Sequence, residues 1–525
     1  MKLENSIIES VFLLALFLAA FWLWTLPFQQ NHTPFGDVDS STHFGLGDYM
    51  AYKNKAIIDV PYFFSFRYGK NNAGKLWYPP QYHTNQAIFE LYGGSREIPA
   101  QIYIALMSAA VIFTSYILMR AIYGFLPALL TSTLLLFSSR DISWYILGQY
   151  PQVLSFGLVP LFLASLYLYV TKKQTIHLYL GSILIALQFY FHPQAIFVSA
   201  IATFFFVVFY FLKEKKIPSN LKPDIKHIVF SILILVLLIA PFYQFPFGKG
   251  SIYKNPISAA LQQEKPYGRL LYWYGNEKPE GISPSYYQFT EMHGNRFSYL
   301  LILLTILGLI FTIYRRNPAD LMLLAMFLTL YLVMHSNVFG LGRAERFMEA
   351  EAMLLYPIAV IGFFGVLSAS TSFFKIENNK KIIKIGTIAV LILFSLFTLG
   401  TNAYTQLKGA YAGYGRLTPP QVEAAQWMRA NLPEDADVYL VGTAIYTKKK
   451  WLQAASFRHM VTDTKPIFPD FSLSDANYAF LDYSELGLLG GQPALDSINA
   501  WAIQNIQNAT LLYDKGNIRV VKLAE

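Results

Sequence analysis

Asp37 and Asp39 stand two residues apart in the string Gly36-Asp37-Val38-Asp39-Ser40-Ser41-Thr42-His43, shortly after the first long apolar run. A carboxylate where a chain leaves a membrane can act as a general base on a hydroxyl, or help to hold a divalent cation. The same string also suits a helix start, with Asp39 or Ser40 capping a helix that begins near Thr42. Arg343 and Arg346, three residues apart, share one face of a helix at the start of a later apolar segment. Positive charge there opposes the helix dipole. A phosphate would account for it, through guanidinium forks and backbone N–H groups; the alternative is local pairing with Glu345, Glu349 or Glu351. A third polar string, from Ser138 to Pro151, carries Asp141, Tyr145 and Gln149 into another apolar run through Gln152.

The elements that position these residues are set by composition. Hydrophobic residues make up 54% of the 525-residue chain and charged residues 14%, with 43 Phe and 36 Tyr. A soluble chain carries about a quarter charged residues, so lipid is the expected solvent for most of this one. Cysteine is absent, which excludes disulfides, thiolate chemistry and Cys-based metal sites.

Apolar runs of spanning length recur near 8–27, 98–119, 124–139, 151–170, 175–191, 193–212, 228–245, 297–314, 320–336, 350–373 and 385–404. The expected fold is an α-helical polytopic membrane protein of about eleven spans. Lys and Arg concentrate in alternate connections, among them Lys172, Lys173, Lys213, Lys215, Lys216, Arg315, Arg316, Lys380 and Lys381. That bias puts the N-terminus in the cytoplasm and the opposite loops outside, in a multi-pass cell-membrane protein. The net charge of +9 is then topological, and nucleic acid is not an expected partner. The outer loops 28–97 and 246–296 are long, which places the working face outside.

After Tyr404 the composition becomes that of a small α/β domain, so the expected division is 1–404 for the membrane domain and 405–525 for a soluble extracytoplasmic one. Thr418-Pro419-Pro420 opens a helix to about Asn431. Val438–Val441 and Tyr478–Leu481 read as strands, 494–506 as a helix, and Leu511–Leu523 as a hairpin around Asp514-Lys515-Gly516-Asn517.

The chain resembles the GT-C superfamily of membrane glycosyltransferases. The Asp39-to-His43 string, the Gly148-to-Leu154 entry, the Arg343–Arg346 segment and the stretch Ala424–Ala436 carry the resemblance. It departs from the oligosaccharyltransferase branch, having no Trp-Trp-Asp-Tyr-Gly in the outer domain, and having Gln149 and Gln152 where that branch has an acidic motif.

The resemblance implies transfer of a sugar from a polyprenyl-phosphate donor to an extracytoplasmic glycan, lipid or protein acceptor, with membrane lipids as surroundings. Asp39, with Asp37, is the expected catalytic pair. His43, Asp141, Tyr145, Gln149, Arg343 and Arg346 are the expected substrate-binding residues. If a cofactor is needed it is Mg²⁺ or Mn²⁺, on Asp37, Asp39 and Asp141. Two other readings stay open: a lipid or sugar transporter or flippase, and a binding protein of the same fold without catalysis.

Overall fold

The computed structural model describes residues 3–29, 33–67, 76, 79–215, 221–242, 295–335, 350–373, 380–413, 417–442, 446–461, 476–484, 491–506 and 508–523. Among the described residues, each of the eleven apolar segments overlaps an apolar helix. Six helices among the described residues are long and apolar enough to cross a membrane: Ile7–Trp24, Glu97–Ile122, Tyr150–Lys172, Gln194–Glu214, Glu351–Ser370 and Gly386–Ala410. The others coincide with shorter apolar helices, Phe125–Leu136, Ile176–Phe191, Ile225–Ile239, Tyr299–Arg315 and Pro318–Met334.

Apolar helices in lipid gain little from hydrophobic burial against one another, so close backbone approach has to hold them. Helices Asn295–Arg315 and Glu351–Phe373 show this. A Cβ at Gly308 would lie 2.1 Å from the Ile358 carbonyl oxygen, and one at Gly362 would lie 2.0 Å from that of Leu304. Only hydrogen fits at either place.

At one end of the bundle lie two further helices, Val38–Lys53 and Gln81–Tyr92, followed by a five-stranded sheet. The strands are β1 (Asp437–Val441), β2 (His459–Val461), β3 (Tyr478–Asp482), β4 (Thr510–Lys515) and β5 (Ile518–Lys522), in the order β2-β1-β3-β5-β4. β1 runs parallel to β2 and β3, while β5 is antiparallel to β3 and β4. Helix Pro419–Asn431 begins with a capping box between Thr418 and Gln421, the outcome that a Thr followed by prolines favours. Helix Gln492–Asn505 and the β4–β5 hairpin lie where the sequence suggests. Helix Tyr446–Ser456 and strand β2 are additions to that reading.

The last bundle helix does not stop at Tyr404. Helix Lys380–Ser395 passes through a π-helical turn, Leu396–Gly400, into helix Thr401–Gly413. Asn402 and Gln406 on that extension donate hydrogen bonds to Ser139 Oγ and Ser143 Oγ, at 2.7 and 2.8 Å.

Candidate functional site

Helix Val38–Lys53 begins against the loop that ends helix Ser139–Leu147. The Asp37 amide donates to the Ile146 carbonyl at 3.1 Å, and Ser40 Oγ reaches the same oxygen at 3.3 Å. Gly148 lets the two segments meet. Its φ is +85°, and a Cβ there would lie 2.0 Å from the Ser40 backbone nitrogen. Directly after it, Gln149 Nε2 donates to Asp39 Oδ2 at 2.5 Å. The nitrogen must face the carboxylate, because the flipped amide would set two acceptor oxygens against each other. Asp39 therefore sits in the first turn of its helix with its side chain held from the Gln149 loop. Asp37, half-buried like Asp39, precedes the first turn.

His43 lies one helical turn after Asp39 and hence on the same face. It is buried, with Nδ1 at 3.0 Å from His83 Nε2 and the two rings stacked at 5.3 Å. Burial first, and the neighbouring His43 second, hold the His83 imidazolium far below its ordinary pKa, so His83 meets this contact as a neutral ring. Tyr150 packs against His43 at 6.2 Å between ring centroids.

Tyr145 is fully buried, edge-on to Phe35 at 5.9 Å and tilted against Trp24 at 5.3 Å. Its hydroxyl has no hydrogen-bond partner among the described residues. Tyr145 lines a cleft with Phe35, Phe44, Gln101, Tyr150 and Trp451. Trp451 comes from the sheet-bearing part of the chain, on helix Tyr446–Ser456. Its indole N–H donates to the Gly36 carbonyl at 2.9 Å, and its ring meets Phe44 at 5.7 Å.

A second set of contacts, unread in the sequence, grips the far end of helix Val38–Lys53. Asp48 Oδ1 lies 2.8 Å from Arg96 Nη2, and Oδ2 lies 3.3 Å from Arg429 Nη1. Glu90 hydrogen-bonds Asp48 and accepts from Gln86 Nε2 at 2.8 Å. Both carboxyls are buried, which pushes their pKa values up. The two guanidiniums keep the charge on Asp48, so the proton rests on Glu90, raised to about 10. Tyr52 has Arg96 and Arg429 over its ring, each at 5.5 Å. Sequence separations of 48 and 381 residues hide this clamp; only the Gln86–Glu90 spacing of four is a local signal.

Asp141 lies elsewhere. Its amide is capped by Ser138 Oγ at 3.3 Å, and burial, which outweighs the Ser138 hydrogen bond and the Arg140 charge, raises its carboxyl to about 7. Arg140 beside it pairs with Glu351, both buried. Glu351, one sequence candidate for pairing with Arg343 or Arg346, is thus engaged by Arg140. Arg343 and Arg346 themselves lie outside the described residues. Among the described residues, no three His, Asp or Glu side chains converge as a metal site, so Asp37, Asp39 and Asp141 are not gathered around one ion.

A helix bundle whose first loop supplies an acid, roofed by an α/β unit, defines a class. The structure superposes on the oligosaccharyltransferase of Archaeoglobus fulgidus in its apo form with a TM-score of 0.60 and 12% identity, over 98% of this chain and 74% of that one. On ArnT from Cupriavidus metallidurans bound to undecaprenyl phosphate the TM-score is 0.61 at 12% identity, over 99% of this chain and 98% of that one. The same archaeal enzyme tethered to an acceptor peptide gives 0.59 at 14% identity, over 98% and 74%. The fold is the GT-C fold. Within it, this chain belongs to DUF6541, a family of unknown function, whose profile matches residues 6–440. No curated protein sequence matches the chain.

Proposed function

We propose that the protein is a membrane glycosyltransferase that moves a sugar from a polyprenyl-phosphate donor to a hydroxyl acceptor, with the sheet-bearing side of the molecule outside the cytoplasm. The observation that carries this reading is the Asp39 carboxylate, held by the Gln149 amide at the end of the bundle. The undecaprenyl phosphate bound to ArnT, on a chain of the same fold, supports the donor class.

In this reading Asp39 takes the proton of the acceptor hydroxyl as its oxygen attacks the anomeric carbon. The new C–O bond forms on the face opposite the lipid phosphate, the bond to phosphate breaks, and the configuration inverts. The phosphate leaves with the electron pair, its charge met by Arg343 and Arg346. Gln149 fixes the direction of the carboxylate. A divalent cation does not suit this donor set. An amide N–H points at the Asp39 oxygen, and Asp141 is held in a different cluster. No step here uses one.

The test is sugar transfer from a polyprenyl-phosphate donor by the full-length protein in nanodiscs. Asp39→Asn keeps the shape and removes the base, so donor binding should persist while turnover falls about 10²–10⁴-fold. Full turnover in that variant would remove Asp39 from the role.

A further inference from the structure

Helix Gln81–Tyr92 ends in apolar residues that face away from the protein. Of its last five residues only Glu90 is buried, turned to Asp48. Ile88, Phe89, Leu91 and Tyr92 are between 43% and 89% exposed. Ile88, Leu91 and Tyr92 are spaced three and four apart and so share one face. That face continues back through Asn85 to Gln81, whose side chains hydrogen-bond each other at 2.9 Å. The outward face is therefore polar in its first half and apolar in its second, with no charged residue on it. Apolar surface gathered in this way marks a contact with lipid or with protein.

The place of the helix decides between them. Gly93 to Arg96 are all that separate it from helix Glu97–Ile122, one of those long and apolar enough to cross a membrane. A Cβ at Gly93 would lie 2.0 Å from Pro99 Cγ, so the link folds directly onto the first turn of that span. Further in, the Phe89 ring meets Tyr103 at 5.0 Å, and Tyr82 meets it at 5.2 Å. Tyr103 stands six residues past Glu97, about 9 Å along the axis at 1.5 Å per residue. Ile88, Leu91 and Tyr92 lie within one turn of Phe89, so the apolar half is level with the first turns of a membrane helix. An amphipathic helix lying in a membrane surface buries its apolar side to a similar depth, about 5–10 Å into the boundary of headgroups and acyl chains. Tyrosine is favoured at that boundary, and Tyr92 is the most exposed of the four. The opposite face grips helix Val38–Lys53. His83 meets His43, Gln86 Nε2 donates to the Phe44 carbonyl at 3.0 Å, and Glu90 meets Asp48.

We propose that helix Gln81–Tyr92 is an interfacial anchor whose partner is the lipid bilayer. Ile88, Phe89, Leu91 and Tyr92 lie in the leaflet that surrounds the Glu97 end of the span, while Gln81 and Asn85 stay in water. The helix that carries Asp39 is thereby tied to the membrane surface as well as to the bundle. Lipid contact does not rest on the transfer reading above.

The chain has no cysteine, so a single introduced cysteine carries a nitroxide label without background. Full-length protein in phosphatidylcholine nanodiscs is labelled in the variants Asn85→Cys, Ile88→Cys, Leu91→Cys and Tyr92→Cys. Collisions of each label with oxygen, which concentrates in lipid, are compared with collisions with a water-soluble nickel chelate. Labels at Ile88, Leu91 and Tyr92 should favour oxygen and report depths of about 5–10 Å, and the label at Asn85 should favour the chelate. Tyr92 is 89% exposed and touches little of the protein, so its label reports even where one at Ile88 or Leu91 lowers the melting temperature. Chelate-dominated collisions at all these positions would put the patch in water and overturn the proposal. Shielding of Ile88, Leu91 and Tyr92 from both reagents would show protein covering them, a second copy or another segment of the chain, and would overturn it too. No donor or acceptor is present in this measurement, so full turnover in Asp39→Asn would leave its result standing.

Discussion

Glu90→Gln is expected to stabilise the protein at neutral pH. Glu90 is 4% exposed, and in the folded state it keeps its proton up to about pH 10, against an ordinary value of 4.5. Below pH 4.5 both folded and unfolded chains hold the proton, and there is no penalty. Above it the unfolded chain releases the proton and the folded one does not, so stability falls by about 1.4 kcal/mol per pH unit until the folded carboxyl titrates. At pH 7 the cost is about 3 kcal/mol. Glutamine escapes it with little loss of contact: its carbonyl can still accept from Gln86 Nε2, and its N–H can face Asp48 where the acid O–H now does. Thermal unfolding of the two proteins in the same detergent, from pH 4.5 to 9, should show curves that meet at the acid end and separate as pH rises. Parallel curves, or a Glu90→Gln protein that is less stable at pH 7, would place the proton elsewhere and refute the clamp as described.

Gly148→Ala should destabilise by roughly 2–5 kcal/mol, from a side chain at positive φ and an overlap with the Ser40 backbone, and should lower turnover by displacing Gln149; urea or thermal melts and the transfer assay check both. Arg346→Ala is expected to weaken undecaprenyl phosphate binding about ten- to a hundredfold with the melting temperature unchanged, read by titration in nanodiscs. Transfer should continue in excess EDTA; a loss restored by Mg²⁺ or Mn²⁺ would contradict the cation-free mechanism.

The helices are legible because an apolar helix is written in consecutive residues: each apolar run expected between residues 8 and 404 overlaps a helix among the described residues. The Thr418 cap and the β4–β5 hairpin were legible for the same reason, each being a contact within a few residues. Gln149 stands out in the sequence as a glutamine where the oligosaccharyltransferase branch has an acidic motif; its contact with Asp39, 110 residues away, is visible only in the fold. Asp141 lies in the same string, yet position along a sequence does not tell on which side of a bundle a residue faces, and it belongs with Ser138 and Arg140. Helix Tyr446–Ser456 carries no local signal because Lys448-Lys449-Lys450 interrupts any apolar period. Its burial comes from packing on helix Val38–Lys53, which no local pattern reveals. His83 and Glu90 were hidden likewise, since their partners His43 and Asp48 lie about 40 residues away.

The bond from Trp451 to Gly36 spans 415 residues, and that distance is also an interval of time. Synthesis proceeds at about 5–20 residues per second, so the Asp39 segment is made roughly 20–80 s before the helix that roofs it. Arg429 reaches Asp48 after a comparable delay, 381 residues later. A nascent chain already threaded into the bilayer thus carries Asp39 without Trp451 or the lysine helix above it. The Asp39 segment therefore stays uncovered on that side until helix Tyr446–Ser456 has been made and has packed against it.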